Sequence, residues 1–126
     1  MNEELKELAE FLHDELKELR SNYKTAKDHE KAFKKGALED DKEIINRLNY
    51  LEAVIASEAI GYDVKDADFK YLLFIVDDRL ESYNDALTTL VKMKVITSEN
   101  VISKCEQKID YYDQLHKYLV NKLRNE

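Results

Sequence analysis

Two acid–histidine pairs are the first residues in this sequence whose types and spacing could do chemistry. Glu10 precedes His13 by three positions, and Asp113 precedes His116 by three. In helical bundles that hold two metal ions, two helices carry Glu-x-x-His and the others each add a Glu, all pointing inward. On a helix, Glu10 and His13 lie roughly 160° and 100° from the nearby apolar positions, facing water. We therefore expect no metal and no cofactor.

The other candidates for chemistry have simpler structural explanations. Cys105, the only cysteine, falls among apolar positions, where a thiol packs as a small hydrophobe. Asp63, Asp66 and Asp68 lack the glycine and the final glutamate of a calcium loop, so we expect them to cap a helix. The sequence thus predicts no catalytic residue and a protein that is not an enzyme. An enzyme with an unrecognised helical active site is kept as an alternative.

The elements that must position these residues follow from composition. The 126 residues include two glycines and no proline, where average usage would give about 9 and about 6. Glycine-rich phosphate-binding loops are excluded, and so are β-sandwiches and barrels, which need a turn every few residues. Apolar residues recur through the whole chain, which argues against disorder. A helical protein remains.

Apolar positions at alternating spacings of three and four predict four helices, at about 3–35, 41–60, 64–95 and 98–124. The short connections predict one domain over 1–126, an all-α, antiparallel up-down-up-down four-helix bundle with a long first helix. We expect Gly36 and Gly61 to follow helix ends with positive φ, and Thr97 to cap the fourth helix. The third helix has the clearest apolar seam: Phe69, Leu73, Val76, Leu80, Tyr83, Leu87 and Leu90.

Leu72, Phe74 and Ile75 widen that seam, so we expect the third helix to be the most enclosed.

The predicted helices also differ in length. The second has about 20 residues, so at about 1.5 Å per residue the longer helices overhang it by more than about 10 Å. An apolar overhang would need a second copy or another protein to cover it. Alternatively, the first helix breaks near Ser21–Asn22 and folds back.

Two titratable residues fall in seam positions that reach the same level of the predicted bundle. Glu30 lies on the first predicted helix and His116 on the fourth, and these two helices are neighbours in this topology. A carboxylate beside an imidazole favours the protonated ring and helps both groups to tolerate burial. We predict a buried polar pair that fixes register or senses pH; the alternative is that both side chains reach water at the edge of the seam.

The net charge of −7 is unevenly distributed. Residues 20–35 carry six basic and two acidic side chains, and five lysines there share helical spacing: Lys24, Lys27, Lys31, Lys34 and Lys35. This lysine stripe could contact an acidic partner or phosphates, although the aromatic residues near it lie in the seam and are not available for stacking. The structural alternative is a solvated face. Residues 1–19 are acidic, and such a face could imitate a row of phosphates.

Taken together, these patterns predict a small acidic, non-catalytic protein that acts by contact with another protein or with itself, with a homodimer as one expected form. The alternative is a nucleic-acid-linked role, either through the lysine stripe or as an acidic mimic that blocks a nucleic-acid-binding enzyme. Nucleic acid is not the expected partner, because the net charge repels it. The acidic N-terminus, the short apolar runs and the single cysteine predict a cytoplasmic protein without a membrane segment.

Overall fold

The computed structural model describes residues 2–29, 36–64, 68–93 and 99–124, and these residues form four α-helices and no strand. The helices are α1 (Glu3–Asp28), α2 (Ala37–Ala59), α3 (Phe69–Lys92) and α4 (Glu99–Arg124). The predicted all-α class with four helices is confirmed. Close packing of α1 on α2 and of α3 on α4 is consistent with an all-α four-helix bundle.

The helices α1 and α2 form the first hairpin, and contacts along both helices show that it is antiparallel. The backbone N–H of Asn2 donates to the carbonyl of Ala59 at 3.0 Å, so the start of α1 lies beside the end of α2. Farther along, Arg20 donates to the side-chain oxygen of Asn49 at 3.0 Å. Leucines supply most of the buried side chains of this hairpin: Leu5, Leu8, Leu12, Leu16, Leu48 and Leu51, with Glu15, Val54, Ile55 and Ala59.

The helices α3 and α4 form the second hairpin, which is also antiparallel. The rings of Tyr83 and Tyr112 stack at 5.8 Å between centroids. Six positions earlier on α3, Asp77 contacts His116, which lies later on α4 than Tyr112. The buried side chains here are more varied in type: Phe69, Leu72, Ile75, Val76, Arg79, Cys105, Tyr112, Leu115 and Leu119.

Residues at the helix ends act largely as predicted. Asp68 caps α3 by accepting from the backbone N–H of Tyr71 at 3.2 Å. After α2, Gly61 has φ +95° and donates to the carbonyl of Glu58, and Tyr62 donates to the carbonyl of Ser57. These two bonds define a Schellman motif, which satisfies carbonyls that the helix leaves open. The predicted caps Asp66 and Thr97 lie outside the described residues.

The first helix differs from the prediction. It runs without a break through Ser21–Asn22 but ends at Asp28, with His29 as its C-cap. Gly36 does have positive φ, at +91°, but it precedes α2 and does not follow α1. The four helices contain 26, 23, 24 and 26 residues, so the expected overhang of more than about 10 Å is wrong for the described helices.

The third helix buries a different face from the predicted one. Phe69 and Val76 are buried as expected, but Leu73 and Leu80 are half-buried, and Phe74 is 54% exposed. The buried stripe is rotated toward Leu72, Ile75 and Arg79, because apolar residues surround most of this helix and periodicity alone leaves the direction open.

Residue contacts divide the chain into two compact units, Met1–Ala67 with the first hairpin and Asp68–Glu126 with the second. One domain over 1–126 stays a prediction. Among the helices of the described ranges, none combines the length and the apolar character needed to cross a membrane.

Candidate binding groove

A surface groove of about 470 Å³ lies on the first hairpin. Its lining comes from both helices: Lys6, Ala9, Glu10, His13 and Asp14 of α1, Glu52, Ala56 and Ala59 of α2, and Ile60 at the end of α2. Three of these residues are alanines, and they are half-buried or buried, whereas the charged residues of α1 are exposed. Small side chains at neighbouring positions of two packed helices leave space that larger ones would fill.

The spacing of the lining residues explains how α1 presents them together. Positions 6, 9, 10, 13 and 14 follow the i, i+3, i+4, i+7, i+8 pattern of one helix face. Glu52, Ala56 and Ala59 of α2, with the C-cap Ile60, follow the i, i+4, i+7 and i+8 positions of this pattern. The groove is therefore about two helical turns long, or about 12 Å, on each helix.

The His13 imidazole joins the two sides of the groove. Its Nδ1 lies 3.0 Å from Oε1 of Glu52, across 39 positions of sequence. The ring is 67% exposed, whereas the Glu52 carboxylate is 21% exposed. This contact is an ion pair only when the ring is protonated, and it links α1 to α2 across the groove.

The charge around the groove is mainly negative. Glu10, Asp14 and Glu52 carry carboxylates, and Lys6 carries the one ammonium group of the lining. Two of these acids belong to a longer row of exposed acids on one face of α1, here called the acidic stripe: Glu3, Glu7, Glu10, Asp14 and Glu18. The row extends over 15 positions, or about 22 Å.

Metal binding finds no support in the described residues, because no three histidines, cysteines, aspartates or glutamates there are arranged to hold an ion. Glu10 and His13 do share the groove, but His13 faces Glu52. In the second acid–histidine pair, His116 contacts an acid of another helix, because its Nε2 lies 3.1 Å from Oδ1 of Asp77 on α3.

The predicted pair of Glu30 with His116 lies partly outside the described residues, because Glu30 is not among them. His116 itself is half-buried, and its contact to Asp77 joins α3 and α4 in the second hairpin. The pairing with Glu30 stays a prediction.

The lysine stripe is described only in part. Lys24 and Lys27 are exposed on the last two turns of α1. Lys31, Lys34 and Lys35 lie outside the described residues. The structure thus confirms no continuous basic face, and this stripe also stays a prediction.

Cys105 is buried in the second hairpin, where its Sγ lies 3.5 Å from the carbonyl oxygen of Tyr83. Desolvation raises the pKa of the thiol, and the charge of Lys108 offsets this only in part. A raised pKa leaves little thiolate near neutral pH, and the thiolate is the nucleophilic form. The position suits packing, as the sequence predicted.

Two buried charged residues escaped sequence reasoning. Glu15 on α1 is 3% exposed, and Arg79 on α3 is 7% exposed. The Arg79 guanidinium donates to the Tyr83 hydroxyl at 3.1 Å and lies 4.9 Å from the centroid of that ring. A tyrosine one turn after an arginine makes the two side chains neighbours on a helix, but this spacing does not indicate whether they are buried.

An exposed aromatic pair was also missed. Tyr71 and Phe74 on α3 form an edge-to-face pair with ring centroids 6.5 Å apart. Both side chains are exposed, although the sequence pattern placed Phe74 on the enclosed surface. The sequence also contained no signal for the groove alanines. Ala56 and Ala59 have no reactive or charged group, and they contribute only through the space that their small side chains leave.

The three histidines do not converge on one another. His13 faces Glu52, His116 faces Asp77, and Nδ1 of His29 lies 3.1 Å from the Thr25 carbonyl oxygen.

The groove combines an apolar floor with charged edges, which is the arrangement of a binding surface. No protein-family model, curated protein or solved structure matches this chain.

Proposed function

We propose that this chain is a non-catalytic protein that acts by contact with another protein, with self-association as the variant in which the partner is a second copy. The single observation that supports this proposal most directly is the groove on the first hairpin, with its alanine floor and acidic edges. Grooves between helices bind helical segments of partner proteins through apolar anchors. As part of the same proposal, we assign the protein to the cytoplasm.

The experiment compares three forms of the protein as bait in affinity capture from the source cell, followed by mass spectrometry. The forms are the unmodified chain, Ala56→Leu, which fills the groove, and Ala53→Leu. Ala53 is exposed on the same helix and does not line the groove, so it makes a matched control. We expect a stoichiometric partner with the unmodified chain and with Ala53→Leu, and its loss with Ala56→Leu.

Light scattering on the same three proteins separates the two variants of the proposal. A dimer that Ala56→Leu dissociates would identify the partner as a second copy. A monomer that captures no stoichiometric partner would contradict the proposal in both forms.

The acidic stripe supports a second candidate, namely a mimic of nucleic acid that occupies the binding channel of a nucleic-acid-binding enzyme. Its five exposed acids lie three or four positions apart on one face of α1. A partner bound in this way would be released steeply between about 50 and 200 mM salt, because phosphate-like contacts are screened. Short DNA duplexes would compete with the protein for that partner, and Ala56→Leu would leave the capture unchanged.

A further inference from the structure

The floor of the groove determines the kind of side chain that could occupy it. Ala9, Ala56 and Ala59 present methyl groups only, and Ile60 adds apolar surface at one end. The volume of about 470 Å³ falls within the range of about 300–1,000 Å³ that is usual for ligand sites. Bulky apolar side chains would gain most by entering it, because burial is favourable at about 25 cal/mol per Å² of apolar surface.

The length of the groove determines the shape of the occupant. Each wall is about two helical turns long, and both walls run along antiparallel helices. A helix laid along such a groove places the side chains at i, i+4 and i+7 on one face, over the same length. Such a helix could insert two or three anchors without changing its backbone.

The edges of the groove determine the charge of the occupant. Three carboxylates surround the floor against one ammonium group, and the acidic stripe continues past both ends of the groove, to Glu3 and to Glu18. Negative potential attracts lysine and arginine and repels phosphate. Complementarity therefore favours a positively charged partner and opposes direct binding of nucleic acid here.

From these three features we infer that the groove binds a basic amphipathic helix of a partner protein. Bulky apolar residues of that helix occupy the alanine floor, and its lysines and arginines lie against Glu10, Asp14 and Glu52. This inference rests on the proposed function and names the chemistry of the partner.

The test uses a display library of helical peptides of about 18 residues, or about five turns. Polar positions are randomised among Lys, Arg, Glu and Gln, and the positions of one face among Ala, Leu, Phe and Trp. The library is selected on the unmodified protein. We expect the enriched peptides to carry large apolar residues at i, i+4 and i+7 and an excess of Lys and Arg on the flanks.

Two pairs of variants then locate the site with the best peptide, by fluorescence anisotropy. Ala56→Leu should weaken binding by about tenfold or more, and the matched Ala53→Leu should change it by less than about twofold. Reversal of charge at Glu10 and Asp14 to Lys should also weaken binding by about tenfold. The control reverses Glu106 and Asp110 on α4, an exposed pair with the same spacing and the same change in net charge. Circular dichroism and urea unfolding verify that each variant is folded.

Several outcomes would overturn the inference. Enrichment of acidic peptides, no enrichment at all, or equal effects of the two charge reversals would each show that the groove does not select a basic helix. Strong binding of basic peptides with no response to Ala56→Leu would assign the affinity to the acidic stripe alone, as in the nucleic-acid mimic. Loss of a captured cellular partner with Ala56→Leu, together with no selection for basic peptides, would leave the proposed function standing while this inference fails.

Discussion

The two hairpins follow the same apolar periodicity, yet they fill the space along their helices differently. In the first hairpin, Ala9, Ala56 and Ala59 line a groove on the surface. In the second, the rings of Tyr83 and Tyr112 stack across the helix pair. Arg79 and Lys108 lie over the ring of Tyr83, at 4.9 and 5.5 Å from its centroid.

The difference shows that periodicity and residue size control separate properties of a helix pair. Spacing determines which faces approach, whereas the size of the side chains determines whether the space is filled or left accessible. Protein interiors reach crystal-like density only where side chains interdigitate. The proposed binding role therefore falls on the first hairpin, and we expect the packing of the second to contribute more to stability.

The largest expected effect is the loss of the buried ring in the second hairpin. Tyr112→Ala should lower the free energy of unfolding by about 4 kcal/mol, because it removes a fully buried aromatic side chain and leaves a cavity. Leu12→Ala, at a fully buried position of the first hairpin, should cost about 3 kcal/mol. Urea unfolding measures both. A larger loss at Leu12 would contradict the expected difference between the hairpins.

The next effect comes from adding volume instead of removing it. Cys105→Leu should destabilise the protein by about 1–3 kcal/mol, because it forces a larger side chain into a filled interior. Ala56→Leu should change stability by less than about 0.5 kcal/mol, since the groove can take the added atoms. Thermal and urea unfolding of the two variants provide the comparison. Equal losses would mean that the groove is as tightly packed as the site of Cys105.

A smaller effect is expected at Gly61, just after the C-terminal end of α2. Gly61→Ala should cost about 1–2 kcal/mol, because an L side chain is strained at φ +95°. Crowding is not the cause, since a Cβ at this position would have no atom within 4 Å. Gly61→Asn serves as the control and should lose less, because asparagine tolerates this region better than alanine. Equal unfolding midpoints for Gly61→Ala and the unmodified chain would contradict the argument from backbone strain.

The smallest effects are expected for the histidine contacts, one in each hairpin. Double-mutant cycles on His13 with Glu52 and on His116 with Asp77 should each give a coupling of about 0.2–1 kcal/mol, because one side chain of each contact is more than half exposed to water. Unfolding at low and high salt measures the screening, which should weaken both couplings. A coupling well above that range, unchanged by salt, would show that one contact is a structural requirement of its hairpin.

Local signals in the sequence were sufficient for the helix class and for several helix ends. Asp68 and Gly61 were predictable, because a capping carboxylate and a residue with positive φ depend on neighbours only a few positions away. The end of α1 at Asp28 was not predictable, since apolar spacing continues to Phe33 without a glycine or proline. Periodicity describes which face could be buried, but it does not state where a helix stops.

The candidate site was predictable only in its separate parts. The sequence predicted that Glu10 and His13 of α1 face water, and both side chains are exposed in the structure. The groove itself needs Ala9 and Ala56, which belong to different helices and are 47 positions apart in sequence, to line the same space. Burial of Glu15 and Arg79 opposes the usual preference of charged residues for water, so it could not be inferred from residue type.

By itself, the sequence determined that this protein is helical, where several helices begin or end, and that much of α1 is acidic. These properties depend on interactions within a few residues, which the order of the chain already contains. Only the tertiary structure decided which side chains meet, such as His13 with Glu52, and where space remains between packed helices. The physical reason is that cavities and long-range contacts depend on the sizes and directions of side chains from two helices at once, and no single segment of the chain holds that information.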